Sequence, residues 1–434
     1  MAFHFGLPHA AGGFLGVDVF FVLSGYLITS VLLRELERGR IEVIDCCTRR
    51  VRRLIPALVA VVAVVVVWSA TVAPMASRDG LRGDITATLF YVANWHFIST
   101  SSYFASDGVA SPLQHMWSLA VEEQFYLVWP LLLGLIAVLV RQPRWRVVAV
   151  GATALAGIGV SAVRLNSLWV SDPNRAYLGT DSRIFEPLAG ALLAALLTSS
   201  FVRALIVRAH WCLVCLGGGG LLWALATLGG ASGATSTYAN GGAIVVAAST
   251  MALISTLATG TSKATKALAL PAVAYLGRLS YGIYLWHWPL QVWTQRYGWW
   301  DLSAVGTPAR VAILVALTMT LAALSYHLIE KPLRYGRLAA FLVPRRTFLV
   351  GSLTIVALFL INSSVVLPRA GAAIGRETRT IVLVGDSVPQ RLAPDLARAA
   401  ATQGYVVISA TRGSCPATGV AVVDPAGKPW GAGR

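Results

Sequence analysis

Residues 13–35 read GFLGVDVFFVLSGYLITSVLLRE. From Val17 to Leu33 the run is almost wholly apolar and long enough to cross the hydrocarbon core of a bilayer as a helix. Asp18, near its start, is the one ionisable side chain inside the run. Arg34, Arg38 and Arg40 stand at the far end, and a basic flank after an apolar span marks the cytoplasmic side. The expected helix therefore enters from outside and leaves inside, with His4 and the loop Gly6–Gly16 at the outer face.

Composition extends that reading to the whole chain. Of 434 residues, 56% are hydrophobic and 12% charged, with a mean hydropathy of +0.68. Soluble domains carry about 25% charged residues, so the composition implies a polytopic membrane protein. The net charge of +16 is a topology signal, because its Lys and Arg residues are scattered through short loops. That scatter argues against a nucleic-acid partner. The five cysteines form no framework, and for Cys212 and Cys215, three apart, a redox pair or half a metal site is the alternative to a packing role. Cys46 and Cys47 fall in a basic loop, Cys415 stands alone, and Cys212 and Cys215 are expected to be small buried residues of one helix.

Taken in order, the apolar runs after Val17–Leu33 are Leu54–Val72, Met116–Val140, Val147–Val163, Ile184–Leu197, Trp211–Leu228, Ala243–Leu257, Ala272–Trp293, Ala309–Ile329 and Phe348–Leu367. The expectation is an all-α polytopic protein of about ten full transmembrane helices. The basic segments Arg34–Arg53, Arg141–Arg146, Arg203–Arg208, Lys263–Arg278 and Lys331–Arg346 then share the inner side. Pro56 is expected in the first turn of its helix, where no intrahelical N–H is lost. Residues 73–112 read as an outer loop with a re-entrant or interfacial piece near Leu89–Ile98. Beyond Leu367, a β-branched run from Thr380, a helix over Leu392–Ala401 and a strand over Tyr405–Ala410 read as the start of an α/β domain. The expected organisation is a membrane domain over 1–346, a linking helix over 347–368 and a partial outer domain over 369–434.

Ionisable side chains inside spans are costly, and they are usually functional. Four sets need a reason: His4, Glu122–Glu123, Arg183 with Glu186, and His287. Neighbours on a helix point about 100° apart, so at most one of the two glutamates is expected to face any one cavity. Arg183 and Glu186, three apart, share a face and read equally as a structural ion pair or as part of a site. His287 between two tryptophans reads either as an interfacial belt residue or as a catalytic one. His96 and His115 are expected to be surface or packing residues.

The ordered set GGFLGVDVFFVLSGYLIT, RRVRRLIPAL, WSLAVEEQFYLVWP, DSRIFEPLAGALLA, LSYGIYLWHWP and SYHLIEKPLR resembles the acyltransferase-3 family of bacterial membrane O-acyltransferases. The likeness is to members fused to a C-terminal SGNH-type domain, and it covers nearly the whole chain. It implies transfer of an acyl group, usually acetyl, from cytoplasmic acetyl-CoA to an extracytoplasmic envelope carbohydrate or glycolipid, with no metal. His4 corresponds to the family's essential histidine and Glu122, beside Glu123, to its motif carboxylate. Arg49, Arg50 and Arg53 match its basic helix start, where guanidinium suits the phosphates of acyl-CoA. Asp18, Arg183, Glu186 and His287 are carried as substrate-binding candidates.

Gly385-Asp386-Ser387 resembles the first block of an SGNH domain, with Ser387 at its nucleophile position. The family's basic residue ahead of the histidine and the later SGNH blocks lie beyond the two ends of this sequence, so both regions are expected to be truncated. The implied setting is the bacterial cytoplasmic membrane, with the tail outside. The rival readings are a transporter or flippase of a lipid-linked envelope precursor, and a non-catalytic remnant.

Overall fold

The computed structural model describes residues 3–5, 7, 10–38, 43–73, 75–100, 110–230, 233–260, 263–294, 300, 302, 305–335, 344–365, 379–385, 396 and 405–411. A 3₁₀ turn, Ala11–Leu15, leads into helix α1, Gly16–Glu37. Helix α2, Val43–Thr71, begins well before its apolar part, with Asp45 in the first turn favouring the positive end of the helix dipole. Pro56 therefore lies inside the helix rather than at its start, because the basic segment ahead of it is already helical.

Helices α3, Met75–Leu89, and α4, Ala93–Thr100, fold back on each other as a hairpin. At the turn Tyr91 takes φ 54°, a left-handed conformation that costs a non-glycine residue energy. Gln124 holds that turn, donating to the Tyr91 carbonyl at 2.9 Å and to Asn94 Oδ1 at 3.0 Å. The hairpin falls where a re-entrant or interfacial piece is expected, near Leu89–Ile98, and its tip packs beside Gln124 of helix α5, Met116–Leu139.

Helix α6, Pro143–Ser171, starts on a proline that fits its first turn. Asp172 caps the short α7, Pro173–Leu178, accepting from the Arg175 backbone N–H at 2.8 Å. Then come α8, Thr180–Arg183, α9, Phe185–Leu196, and α10, Ser200–Arg208. Helix α11, His210–Thr227, is joined to α12, Ala243–Ala258, through the antiparallel pair β1, Gly229–Gly230, and β2, Gly233–Ala234, and a π-turn at Tyr238–Gly242. The rest is α13, Lys263–Leu268; α14, Pro271–Trp293; α15, Thr307–Ser325; α16, Lys331–Tyr335; and α17, Pro344–Val365.

Eight helices among the described residues are long and apolar enough to cross a membrane, and nine if a bent pair counts as one span. The difference from ten has two local causes. The run at Ile184–Leu197 belongs to α9, which breaks and turns by 103° into α10. Helix α14 is long enough, but its Arg278, His287 and Gln291 dilute its hydropathy. Cys212 and Cys215 are exposed rather than buried, because α11 turns most of its surface outward as an apolar helix can in lipid.

The core forms around α1. Lipid is as apolar as leucine, so helices in a bilayer associate through close packing and polar links rather than water exclusion. Gly25 of α1 lies against the Pro187 backbone of α9, and Gly190 of α9 against the Val22 backbone of α1. A Cβ at either position would collide with main chain, so both glycines are required for this approach. Polar links tie α1 to α5: Ser24 bonds to Glu122 and Tyr126, and Trp129 donates to Thr29 Oγ1 at 2.8 Å. Such bonds are worth about 0.6 kcal/mol each in membrane proteins. Helix α17 packs along α2 and α3, held by Arg52 to Thr347 at 3.1 Å and Arg82 to the Ser363 carbonyl at 2.7 Å.

Two strands follow, β3 at Arg379–Gly385 and β4 at Tyr405–Thr411, paired in parallel from Arg379↔Tyr405 to Gly385↔Thr411. They match the two strands read in the tail. The helix expected between them lies, apart from Leu396, outside the described residues, as does Ser387.

Candidate active site

Three histidines from distant parts of the chain meet at one end of the bundle. His4 precedes α1, His115 precedes α5, and His287 lies on α14. His4 Nδ1 is 2.9 Å from His287 Nε2, and the two rings stack with centroids 5.1 Å apart. Trp288 meets His4 edge-on at 4.7 Å, while its indole N–H donates to the Ser111 carbonyl at 2.8 Å. His287 Nδ1 lies 2.6 Å from the Tyr284 carbonyl, and His115 approaches His287 edge-on at 5.5 Å.

Pro289 explains part of this arrangement. It sits inside α14 and brings no backbone N–H, so the carbonyl four residues earlier, on Leu285, is released from the helix ladder. His115 packs against this turn of α14, its ring beside those of Tyr284 and His287. The Tyr284 hydroxyl donates to the His115 carbonyl at 2.6 Å. Ser118, 2.5 Å away, therefore donates its own proton to the Tyr284 oxygen.

Burial, and then the neighbouring His287, holds His4 well below the usual histidine range. Burial, followed by His287 and His4, does the same to His115. Both rings are neutral near pH 7 and able to accept a proton. His287 and His115 are each 2% exposed, so neither is a belt or surface residue.

A second centre lies further along α5. His115, Ser118, Glu122 and Tyr126 recur at spacings of three and four, which puts them on one face. Seven residues at 1.5 Å each separate His115 from Glu122 by about 10 Å along the axis. There Arg50 of α2 lies 2.5 Å from Glu123 and 3.8 Å from Glu122, with its guanidinium 3.0 Å above the Tyr126 ring. Glu122 also accepts from Ser24 of α1.

Both glutamates thus reach one guanidinium, against the expectation that only one would face a cavity. The 100° between them is spanned because Arg50 sits between the two side chains, each long enough to bend toward it. Arg49 is turned away, paired with Glu35 at 3.0 Å, and Arg53 is exposed.

The third centre is sealed. Arg183, Asp18 and Glu186 all have fully buried side chains, with Arg183 at 3.2 Å from Asp18 and 3.0 Å from Glu186. Tyr238 donates to Asp18 at 2.5 Å and accepts from Arg183. The rings of Tyr177, Tyr238, Trp117 and Phe21 surround the guanidinium. Among the described residues no group of His, Cys, Asp and Glu is arranged to hold a metal ion.

Reading by residue type singled out His4, His287, Glu122, Glu123 and Arg50, and the fold brings His4 beside His287 and both glutamates beside Arg50. It missed His115, Ser118, Tyr126 and Tyr284. The signal for the first three was the i, i+3, i+7, i+11 spacing from His115; Tyr284 carried none.

The acyltransferase domain family, Acyl_transf_3, matches residues 1–327. The chain is 37% identical over 342 residues to the peptidoglycan O-acetyltransferase OatA of Listeria monocytogenes, covering 77% of this chain and 53% of that protein. It is 31% identical over 383 residues to the O-acetyltransferase OatA of Staphylococcus aureus, covering 86% and 62%. The chain therefore spans little more than half the length of these relatives. No solved structure matches it.

Proposed function

Because the chain belongs to the acyltransferase-3 family, we propose that it moves an acetyl group from cytoplasmic acetyl-coenzyme A to a hydroxyl of an envelope glycan, with cell-wall glycan the first acceptor to test. The observation that carries this reading is the neutral histidine pair His4–His287, set at one end of a polar α5 face that leads to Arg50. In the reaction His4 takes the hydroxyl proton as the sugar oxygen bonds to the acyl carbon. The carbon–sulfur bond then breaks, and the coenzyme A thiolate leaves with that proton. Arg50, which keeps part of its side chain exposed, offers a charge for the donor's phosphates at the far end of the α5 face.

The orientation belongs to the same proposal. The basic loops lie in the cytoplasm, the chain sits in the bacterial inner membrane, and His4 and the tail face outward, on the positive-inside asymmetry. The membrane body over 1–346, the link over 347–368 and an SGNH-like piece over 369–434 are its expected parts. Parallel strands β3 and β4 support an α/β character for the last.

One experiment tests reaction and direction together. In sealed inside-out vesicles holding glycan, radiolabelled acetyl-coenzyme A added to the medium labels the lumenal glycan, whereas right-side-out vesicles given the same donor do not. His4→Ala lowers labelling at least about 100-fold, the scale of general-base losses. Labelling by neither protein, as a transporter would give, sinks the reading. Labelling that survives His4→Ala moves the chemistry elsewhere.

A further inference from the structure

Which nitrogen of His4 carries the hydrogen follows from the groups around the pair. His287 Nδ1 lies 2.6 Å from the Tyr284 carbonyl, and a carbonyl can only accept. The hydrogen at that contact therefore sits on His287 Nδ1. The rings around His287 are His4, His115, Tyr284 and Phe5, and among the described residues no carboxylate forms an ion pair with it to offset an imidazolium. At 2% exposure a second proton would create an uncompensated buried charge, which is costly. His287 is thus neutral, and a neutral imidazole with hydrogen on Nδ1 presents a lone pair at Nε2.

That lone pair lies 2.9 Å from His4 Nδ1, so His4 donates there. Its own lone pair is then at Nε2. The order of hydrogen bonds is fixed along its length: His4 Nδ1–H to His287 Nε2, and His287 Nδ1–H to the Tyr284 carbonyl. The terminal acceptor is backbone of α14, which holds the register of the whole arrangement.

We infer that His287 is a positioning residue: it holds His4 in the tautomer whose Nε2 can receive a proton, and it fixes the plane of that ring. This role replaces the substrate-binding one suggested by sequence. In hydrolases with a Ser-His-Asp triad a carboxylate orients the histidine and also stabilises the imidazolium that forms. Here a neutral ring supplies the orientation without a fixed negative charge. Trp288, the next residue, closes on His4 edge-on, so one turn of α14 carries both the hydrogen-bond acceptor and a wall against ring rotation.

The assignment of tautomer rests on geometry alone, whereas its consequence for rate rests on the acyl-transfer reading; the test separates the two. The full chain, labelled with ¹⁵N-histidine and held in lipid nanodiscs, is read by long-range ¹H–¹⁵N correlation, with His4→Ala assigning the His4 signal. Wild type is expected to show His4 protonated at Nδ1. His287→Gln, whose side-chain oxygen can accept from Nδ1–H, keeps that tautomer and retains acetyl transfer within about tenfold. His287→Phe, of similar bulk and without an acceptor, releases His4 to protonation at Nε2. It lowers kcat at least about 100-fold with little change in KM, on the pattern of a lost orienting group.

Thermal unfolding of both variants near the wild-type temperature establishes that folding is intact. Should His287→Phe fail to fold, wild type and His287→Gln still decide the tautomer. A wild-type His4 protonated at Nε2, or equal transfer by the folded Phe and Gln variants, overturns the inference. Absence of transfer by every protein defeats the reaction reading and leaves the tautomer result to stand by itself.

Discussion

Arg50 and Arg183 are both held inside the helix bundle, and each faces two carboxylates. Their surroundings differ. Arg183 is fully enclosed, with a box of aromatic rings around its guanidinium and a tyrosine completing the hydrogen bonds. Arg50 leaves 21% of its side chain exposed and bonds to Glu123, itself 18% exposed. A charged centre with no free surface can only hold helices together; one that keeps surface open can also meet a ligand. Asp18, Arg183 and Glu186 join α1 to the α8–α9 junction, and Tyr238 brings in the turn before α12. We propose that they act as a lock between helices, the structural ion-pair reading of Arg183 and Glu186. Of the two carboxylates at Arg50, Glu122 lies on the polar face of α5 that also carries His115.

The largest effect should come from breaking the sealed centre. Arg183→Met leaves Asp18 and Glu186 buried without a cation, a change that costs about 3–5 kcal/mol for buried pairs. The expected outcome is loss of monodisperse protein after detergent extraction, or a large fall in its unfolding temperature. Replacing all three together, Arg183→Met with Asp18→Asn and Glu186→Gln, should recover much of that loss, since no unpaired charge then remains. A single variant as stable as wild type would dissolve the contrast between the two arginines.

The open centre should respond in activity more than in stability. Glu122 is the more buried carboxylate and bonds to Ser24 of α1 as well as facing Arg50, whereas Glu123 contacts Arg50 from the more exposed side. Glu122→Gln is expected to lower acetyl transfer about 10- to 100-fold, and Glu123→Gln by less than tenfold, at equal expression. Equal and unimpaired transfer by both would take the carboxylates out of the mechanism. A larger loss for Glu123 would mean that direct contact with Arg50, rather than the link to α1, is what matters.

Much of this was legible in residue order, for identifiable reasons. An apolar run of span length has few structural alternatives, so α1 and α5 could be placed by length and flanking arginines, whereas of α2 only the apolar part, and not its basic start at Val43, could be placed that way. Helix α9 could not, because the helix ends at Leu196 and the chain turns by 103° into α10, which Ser199 caps by accepting from the Val202 N–H. The polar residues were legible as expensive, but not as grouped. Nothing near His4 in sequence points to His287, and only the meeting of α1's leading segment with α14 makes them a pair. Pairing Asp18 with Arg183 likewise needed the fold, since residues so far apart in sequence share no local pattern. Of the two readings of His115, surface or packing, burial fits the second, because α14 covers it.

The smallest effect belongs to a third arginine site, which serves as the exposed control. Arg175 holds Asp181 with two hydrogen bonds, at 2.8 and 2.9 Å, and Arg164 adds another at 3.2 Å; Asp181 keeps 39% of its side chain exposed. Partial burial works to raise the Asp181 carboxyl, but the hydrogen bonds from Arg175 and Arg164 outweigh it and hold the group below the usual aspartate range. A carboxyl depressed in the folded state stabilises at pH values above its unfolded pKa, about 3.9. That stabilisation fades as pH falls through the folded value. Solvent screening limits an exposed pair of this kind to about 0–1 kcal/mol. Asp181→Asn should therefore lower the unfolding temperature slightly at pH 7, and the gap to wild type should close as the pH is taken below about 4. A loss as large as that of Arg183→Met would show that enclosure is not what separates the two kinds of arginine site, and a gap that widened in acid would reverse the assigned sign.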